Sequence, residues 1–508
     1  MFKVAEVSNR LSGMFWMDNA LKPAMGTTRY AVSDPSTEDV IGHVIEASPS
    51  DVDAAIASAG RAQKVWWRKS ALERCEIMHE IADRLKEKKA ELAELLTREM
   101  GKPFKETQDE VNWSISALRY YAELGRNDVG RVMGPAVAGQ MHYTLKQPLG
   151  VVASIQPFNY PILLLCWQAT PGLAAGNAFV VKPSEYTSLT TLLLAECFSV
   201  LPKGLFQVVC GGGAVGKQLV EHRDTHMVAF TGSVPTAELV GRTCGAMMKP
   251  MLIEASGNDP FIVMPSAPVD IAARAATFAA FMNCGQICTS AERFYVHENV
   301  HDRFVDKLVE GARSLRIGNG LGKVDMGPMV SARERDRFEG VIANAISQGA
   351  KVATGGGWPK GMNRGFFLEP TVLVDCKPDM DIFHTESFGP VAPICKVRSF
   401  DEALTLANDS EYGLGATLYT TDLNETMRAT EELETGMLWV NAPLLDNDAG
   451  PFGGIKKSGI GRELGPEGLE NFRRTKLVMI DPNCSIQDFW WFPYKDEESF
   501  PHATGSGS

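Results

Sequence analysis

At 508 residues the chain is too long for a single hydrophobic core, so two or more domains are expected. Its composition, 44% hydrophobic and 22% charged, is that of an ordinary globular protein rather than a disordered or fibrous one. The net charge of -12 comes from acidic residues spread along the chain, which excludes a nucleic-acid surface, where Lys and Arg would cluster. Ten cysteines without a CxxC or a paired framework point to reduced thiols and a cytoplasmic protein. The start, MFKVAEVSNRLSG, lacks the apolar run of a signal peptide, and no apolar stretch reaches the roughly 20 residues of a membrane span.

In chain order, SPSDVDAAIASAGRAQKVWW and ALERCEIMHEIADRLKEKKAELAELLTREMG carry helical periodicity. Ser50 or Asp51 is expected to cap the first helix, and Gly101 to close the second. The basic run at 86–89 reads as a solvated helix face. A third helix is expected over about 104–124. MHYTLKQPLGVVASIQP then reads as strand, split by Pro-Leu-Gly. Beyond it, strand-like runs at 150–155, 178–182, 206–209 and 227–230 alternate with helical stretches near 163–175, 188–201 and 215–222. A second series has strands at 261–264 and 294–296, helices over 271–283 and 300–315, and further units up to Val440. This alternation predicts an α/β protein with parallel sheets covered on both faces.

Several residues could carry chemistry. Cys288 stands in NCGQICTSAER. A nucleophilic thiol needs a lowered pKa, a clear approach for a carbonyl and amides aimed at the developing oxyanion. Cys284 has similar neighbours, and spacing alone does not choose between them; either reads equally as a buried structural thiol. Glu254 ends an apolar strand in MLIEASGNDPFIV, as a general base for water or as a strand-end charge in solvent. Ligands of open α/β sheets bind outside the carboxyl ends of the strands, so Lys182, Gly232, Ser233 and Glu254 would face one crevice. Two turns compete for a phosphate. Gly211, Gly213 and Gly216 in CGGGAVG match G-x-G-x-x-G, without the acidic residue expected some 20 positions later. FTGSVP puts Gly232 and Ser233 at a strand-to-helix turn whose amides could hold a pyrophosphate.

QPFNYP, VKPSE, FTGS, IEASGNDP, NCGQICTSAER, HTESFGPV, YGLGA, GMLWVN and PFGGIKKSGIGRELG stand in the order and approximate spacing of the aldehyde dehydrogenase superfamily. The chain resembles that family from about residue 15 to 480. The resemblance implies a Rossmann-type NAD-binding domain (1–126 and 149–256) and an α/β catalytic domain (257–455). It adds a small β oligomerisation arm with a C-terminal segment (127–148 and 456–495), followed by a flexible tail (496–508). The implied reaction is NAD-dependent oxidation of an aldehyde to a carboxylic acid, without a metal. Cys288 would attack the aldehyde, the Asn159 amide and the Cys288 backbone N–H would hold the oxyanion, and Glu254 would activate the water that hydrolyses the thioester. Lys182 and Glu185 resemble ligands of the adenosine ribose, and Phe158 and Ser233 lie at the phosphates. Glu386 and Phe388 resemble the pair at the nicotinamide ribose, and Ile155, Gln156, Ser184, Gly216, Phe230 and Gly232 complete the cofactor set. A carboxylate at 185 would repel a 2′-phosphate, so NAD is favoured over NADP.

By the same resemblance the substrate tunnel is lined by Trp113, Phe158, Leu164, Trp167, Ile287, Thr289 and Phe452, with Asp446 to Asp448 at its mouth. Aromatic walls with Asp446, Asp448 and Glu110 suit a cationic or neutral polar aldehyde, such as an aminoaldehyde or betaine aldehyde. The lack of Arg at position 167 speaks against succinate semialdehyde. Three departures stand out. Ala255, Ser256, Asn258 and Asp259 replace the commoner E-L-G-G-K-S-P sequence, and Ala237 replaces a Gly. Gln168 stands where the family usually has Lys, which leaves the proton route towards Glu463 open. Relatives that acylate CoA generally lack the Glu at 254, and an idle relative would lose Cys288, Glu254 or Asn159; all are present. A homodimer or homotetramer is expected through the MHYTLK strand, with the aromatic QDFWWFPY segment packing on its own domain or crossing to a neighbouring subunit.

Overall fold

The computed structural model describes residues 4–127, 129–487 and 490–494; the tail at 496–508 and part of QDFWWFPY lie outside them. The chain divides into a larger unit, 1–127 with 148–473, and a smaller one, 128–147 with 474–508. The larger unit carries two sheets. In the first, Met227–Thr231 is flanked by Met251–Glu254 and Val151–Ile155, followed by Ala178–Lys182 and Phe206–Val208, all parallel. Gly459–Ile460 closes one edge, and the hairpin of Met14–Met17 and Ala20–Pro23 closes the other. The second sheet runs Lys351–Thr354, Thr371–Val374, Val391–Val397, Ala291–His297, Asp259–Val263, Gly415–Tyr419, Met437–Val440. Each sheet has its own apolar core.

The central strands are buried along their whole length, which is why they read as continuous apolar runs rather than alternating ones. Helix Pro161–Ala175 is buried at every position for the same reason, being apolar all round. Register matters most for the site. Ile155 pairs with Lys182, Phe230 with Ile155, and Thr231 with Glu254. The carboxyl ends of four strands therefore finish in line along one edge.

Several boundaries differ from the sequence expectation. The first helix is Pro49–Trp67, capped by Ser48 rather than Ser50 or Asp51. Pro at its first position and Asp51 at its third complete a capping box from Ser48. The stretch expected as one helix over 71–101 breaks at Lys88 into Ala71–Glu87 and Lys89–Met100. The N-terminal strands, including the pair Arg29–Ser33 and Val40–Ile45, carry no strong alternation and were not expected. Segment 456–473, expected with the arm, sits in the larger unit, because Gly459–Ile460 pairs with Met251–Glu254. The smaller unit is a three-stranded sheet in which Met141–Pro148 lies between Arg473–Ile480 and Val132–Met133. Among the described residues no helix is long and apolar enough to cross a membrane.

Candidate active site

A cavity of about 1120 Å³ opens at the carboxyl edge of the first sheet. Cys288 reaches it from a loop with unusual backbone. After helix Val269–Phe281 the chain passes through Asn283 (φ 50°), Cys284 (φ 57°) and Gly285 (φ 71°), three left-handed residues in succession. A side chain at Gly285 would sit 2.2 Å from the Gly389 carbonyl, so only glycine fits. Asn283 and Gln286 hold each other's carbonyls at 3.1 and 3.0 Å, and Gln286 in turn accepts the Val330 amide at 3.0 Å. Cys284 is buried in the core of the second sheet and does not reach the cavity, whereas Cys288 lines it.

Glu254 comes from the last position of its strand, and the ASGN turn that follows passes beneath the Cys288 backbone. A side chain at Gly257 would lie 2.0 Å from the Cys288 carbonyl, which fixes glycine there. Glu254 is buried within electrostatic reach of the Cys288 thiol, and its Oε1 has no partner among the described residues. Burial, then repulsion from Glu463, holds its carboxyl well above the usual range. Burial and the neighbouring Glu254 push the Cys288 thiol up in the same way. Both shifts favour the neutral, protonated forms, so Glu254 acts as a base only after it has lost its proton. Asn159, also buried, borders the same cavity.

All twelve residues expected to hold the cofactor line this cavity: Ile155, Gln156, Phe158, Lys182, Ser184, Glu185, Gly216, Phe230, Gly232, Ser233, Glu386 and Phe388. The two competing turns both contribute. Helices Gly213–Glu221 and Val234–Ala246 begin at the cavity with no side-chain cap, leaving first-turn amides for an anion. Two carboxylates, Glu185 and Glu386, stand where ribose hydroxyls could donate. These donors and acceptors fit a dinucleotide. Glu386 accepts the Gly257 amide at 3.1 Å, and Phe388 meets Phe158 edge-to-face at 5.9 Å. Sequence reasoning missed what holds that turn: buried Glu292 accepts the Ser387 and Phe388 amides at 2.6 and 2.7 Å, and Arg337 donates to the Ser387 carbonyl at 2.7 Å. It also missed Arg333, beside Glu185 and Tyr186, and Tyr412 beside Glu386. Glu292 and Tyr412 stand in NCGQICTSAER and YGLGA, whose spacing does not say what they hold, and no motif signals Arg333 and Arg337, which come from helix Ala332–Ser347.

Gln168 closes a buried network. It accepts from Ser154 and Gln156 at 2.9 and 2.7 Å and donates to Thr231 and Glu463 at 2.9 Å each. Burial pushes the Glu463 carboxyl up to about 7.

On the aldehyde side, Trp113, Leu164, Trp167, Ile287, Thr289, Asp446 and Phe452 are absent from the lining of this cavity. Trp167 and Phe452 pack on each other at 4.8 Å, and Leu164, Ile287 and Thr289 are buried. Trp113 is 43% exposed, and Asp446 is exposed in the segment before Gly450. Glu110, expected to favour a cationic aldehyde, is wholly buried in an ion pair with Lys102 and unavailable to substrate. Tyr160, present in QPFNYP but not singled out, is buried within electrostatic reach of both Cys288 and Asp446.

A family model described as the aldehyde dehydrogenase family matches residues 22–478. The chain belongs to this family. As an aldehyde dehydrogenase it is an oxidoreductase acting on aldehydes. A betaine aldehyde dehydrogenase of Brucella canis is 37% identical over 482 residues, covering 94% of this chain and 97% of the relative. The crystal structure of betaine aldehyde dehydrogenase from Staphylococcus aureus in complex with NAD+ matches with a TM-score of 0.93 at 31% identity, covering 96% of this chain and 98% of that one. An E. coli NADP dependent enzyme matches with a TM-score of 0.90 at 34% identity, covering 92% and 98%.

Proposed function

We propose that this aldehyde dehydrogenase oxidises a polar or cationic aldehyde to its carboxylic acid with NAD, through a thioester on Cys288 that water hydrolyses. The observation that carries this reading is the placement of Glu254 and Cys288 on the one cavity that also holds Asn159 and the cofactor set. Glu254 can take the thiol proton as sulfur attacks the aldehyde carbon, which offsets the raised pKa of the thiol. The Asn159 side-chain amide and the Cys288 backbone N–H donate to the oxygen that becomes negative. Lys182, Glu185, Ser233, Glu386 and their neighbours would hold NAD, which would supply the hydride acceptor. Glu254 releases the thiol's proton to solvent, the net proton of the oxidation, and then deprotonates a water that attacks the thioester; Cys288 leaves as thiolate and is reprotonated by Glu254. A carboxyl raised by burial is a stronger base than an exposed one, which suits it to water.

The polar substrate follows from the relatives named for betaine aldehyde, from the aromatic pair Trp167 and Phe452, and from Asp446 within reach of Tyr160. Cytoplasmic location and assembly into a homodimer or homotetramer through the smaller unit's sheet complete the reading. Its domain division is a cofactor domain around the first sheet and a catalytic domain around the second. The test is turnover: purified protein with NAD, offered betaine aldehyde, a neutral aliphatic aldehyde and succinate semialdehyde, with and without CoA, followed by absorbance of reduced nicotinamide. Oxidation of betaine aldehyde without CoA is expected. Turnover only with CoA, or with none of the aldehydes, would overturn it.

A further inference from the structure

Two buried charges at the start of helix Phe104–Asn127 hold the Asn159 loop at the cavity. Lys102, just before the helix, and Glu110, on its second turn, form an ion pair with no solvent exposure on either side chain. Lys102 Nζ also donates to the Asn159 backbone carbonyl at 2.7 Å and lies 3.8 Å from the centre of the Tyr160 ring. Oxygen Oε1 of Glu110 accepts the amides of Ile162 and Leu163 at 2.8 and 3.1 Å. Those N–H groups open helix Pro161–Ala175, whose N-cap Tyr160 offers no side-chain bond, so Glu110 satisfies amides that would otherwise be orphaned. One turn earlier on the same face, the half-buried Glu106 lies within electrostatic reach of Asn283, in the left-handed turn that leads to Cys288. The Asn159 carbonyl and the helix start that follows it are thus bound to one ion pair.

Such an arrangement is costly if its purpose is stability alone, since well-packed apolar residues usually stabilise as much as a buried ion pair. What it gives is a fixed position. We propose that Lys102 and Glu110 are positioning residues for the oxyanion hole, setting the Asn159 amide against the carbonyl oxygen of an aldehyde bound to Cys288. This rests on the reading of Asn159 as the oxyanion donor. A displacement of about 1 Å in such a group can lower a rate on the order of a hundredfold.

The experiment is a double-mutant cycle read by the single-turnover rate of reduced nicotinamide formation. One arm removes the pair's charge in both members together, Lys102→Met with Glu110→Gln, so that no lone charge is left buried. The other is Asn159→Ala, and a third variant combines them. In the native background the charge-free pair should slow the rate on the order of 10- to 100-fold, with NAD affinity and aldehyde KM unchanged. In the Asn159→Ala background it should cost less than about twofold, because the group it positions is gone. An equal loss in both backgrounds, or no loss in the first, would overturn the proposal. Should Asn159→Ala itself leave the rate unaltered, the oxyanion reading fails and this one with it. If the double replacement lowers thermal stability, the rates are compared at a temperature at which all the proteins are folded, as followed by circular dichroism.

Discussion

The cofactor side and the aldehyde side of this site are built in different ways. Every residue expected on the cofactor side lines one cavity, while of those expected on the aldehyde side only Phe158, shared with the cofactor set, does. The cofactor side is made where parallel strands end: Lys182 closes Ala178–Lys182, Gly232 and Ser233 follow Met227–Thr231, and Glu254 closes Met251–Glu254. A strand followed by a turn and a helix fixes such positions locally. The aldehyde side is assembled from side chains far apart in the chain, such as Trp167 packed on Phe452. Their meeting depends on how whole elements dock. A site made of backbone turns is thus readable in a way that a site made of packed side chains is not.

The boundary between the two sides is Cys288, and removing it should give the largest effect. Cys288→Ala is expected to lower turnover by at least about 10⁴-fold while NAD still binds with unchanged affinity, as followed by quenching of protein fluorescence. Retained turnover would shift the nucleophile to Cys284, against its burial in the second core. Glu254→Gln comes next. It should lower steady-state turnover on the order of 10² to 10⁴-fold. A base works only when deprotonated, and burial raises the Glu254 carboxyl, so turnover in the native enzyme should fall as pH drops through a range above that of ordinary carboxylates. In the Gln variant that limb, measured as kcat against pH, should disappear; a limb that persists would assign it to Cys288. On the cofactor side, Glu185→Ser should raise the ratio of kcat/KM for NADP over NAD about tenfold, because repulsion of a 2′-phosphate is removed and Arg333 remains beside it. An unchanged ratio would mean that Glu185 plays no part in choosing between the two dinucleotides.

The fold was legible because the buried strands and the helix Pro161–Ala175 announce themselves as unbroken apolar runs, and because glycines mark the turns. The cap at Ser48 was missed because Ser50 and Asp51 offer the same chemistry two and three residues later, and only the reciprocal bond from Asp51 separates them. The helix break at Lys88 was hidden because nothing there forbids a helix; packing decides it. In the site, Glu254 and Cys288 stand in motifs, but their shared burial and the raised pKa each has beside the other come from tertiary packing. Glu110 shows the reverse error. Its charge suggested contact with a cationic substrate, yet charge in a sequence does not say what a residue faces, and here it faces Lys102 and two amides. Gln168 likewise reads as a loss by resemblance, while its four hydrogen bonds show a complete neutral link to Glu463.

The smallest effect should come from the aldehyde side, at Asp446. The residue is exposed, so its pull on a cation is screened by water and salt and amounts to less than about 1 kcal/mol; desolvation, then Asp448, raises its carboxyl to about 7, so the pull is measured above that pH. Asp446→Asn should therefore raise KM for betaine aldehyde only about two- to fourfold at low ionic strength, with kcat unchanged, and the difference should vanish in high salt. A neutral aldehyde of similar size should be unaffected at any salt. Steric shaping and electrostatic attraction separate at this point: a shift shared by both aldehydes and insensitive to salt would mean that Asp446 only shapes the entrance. The preference for a cation would then rest on the aromatic rings of Trp167, Phe452 and Tyr160, whose attraction for a cation is a short-range effect that salt screens far less.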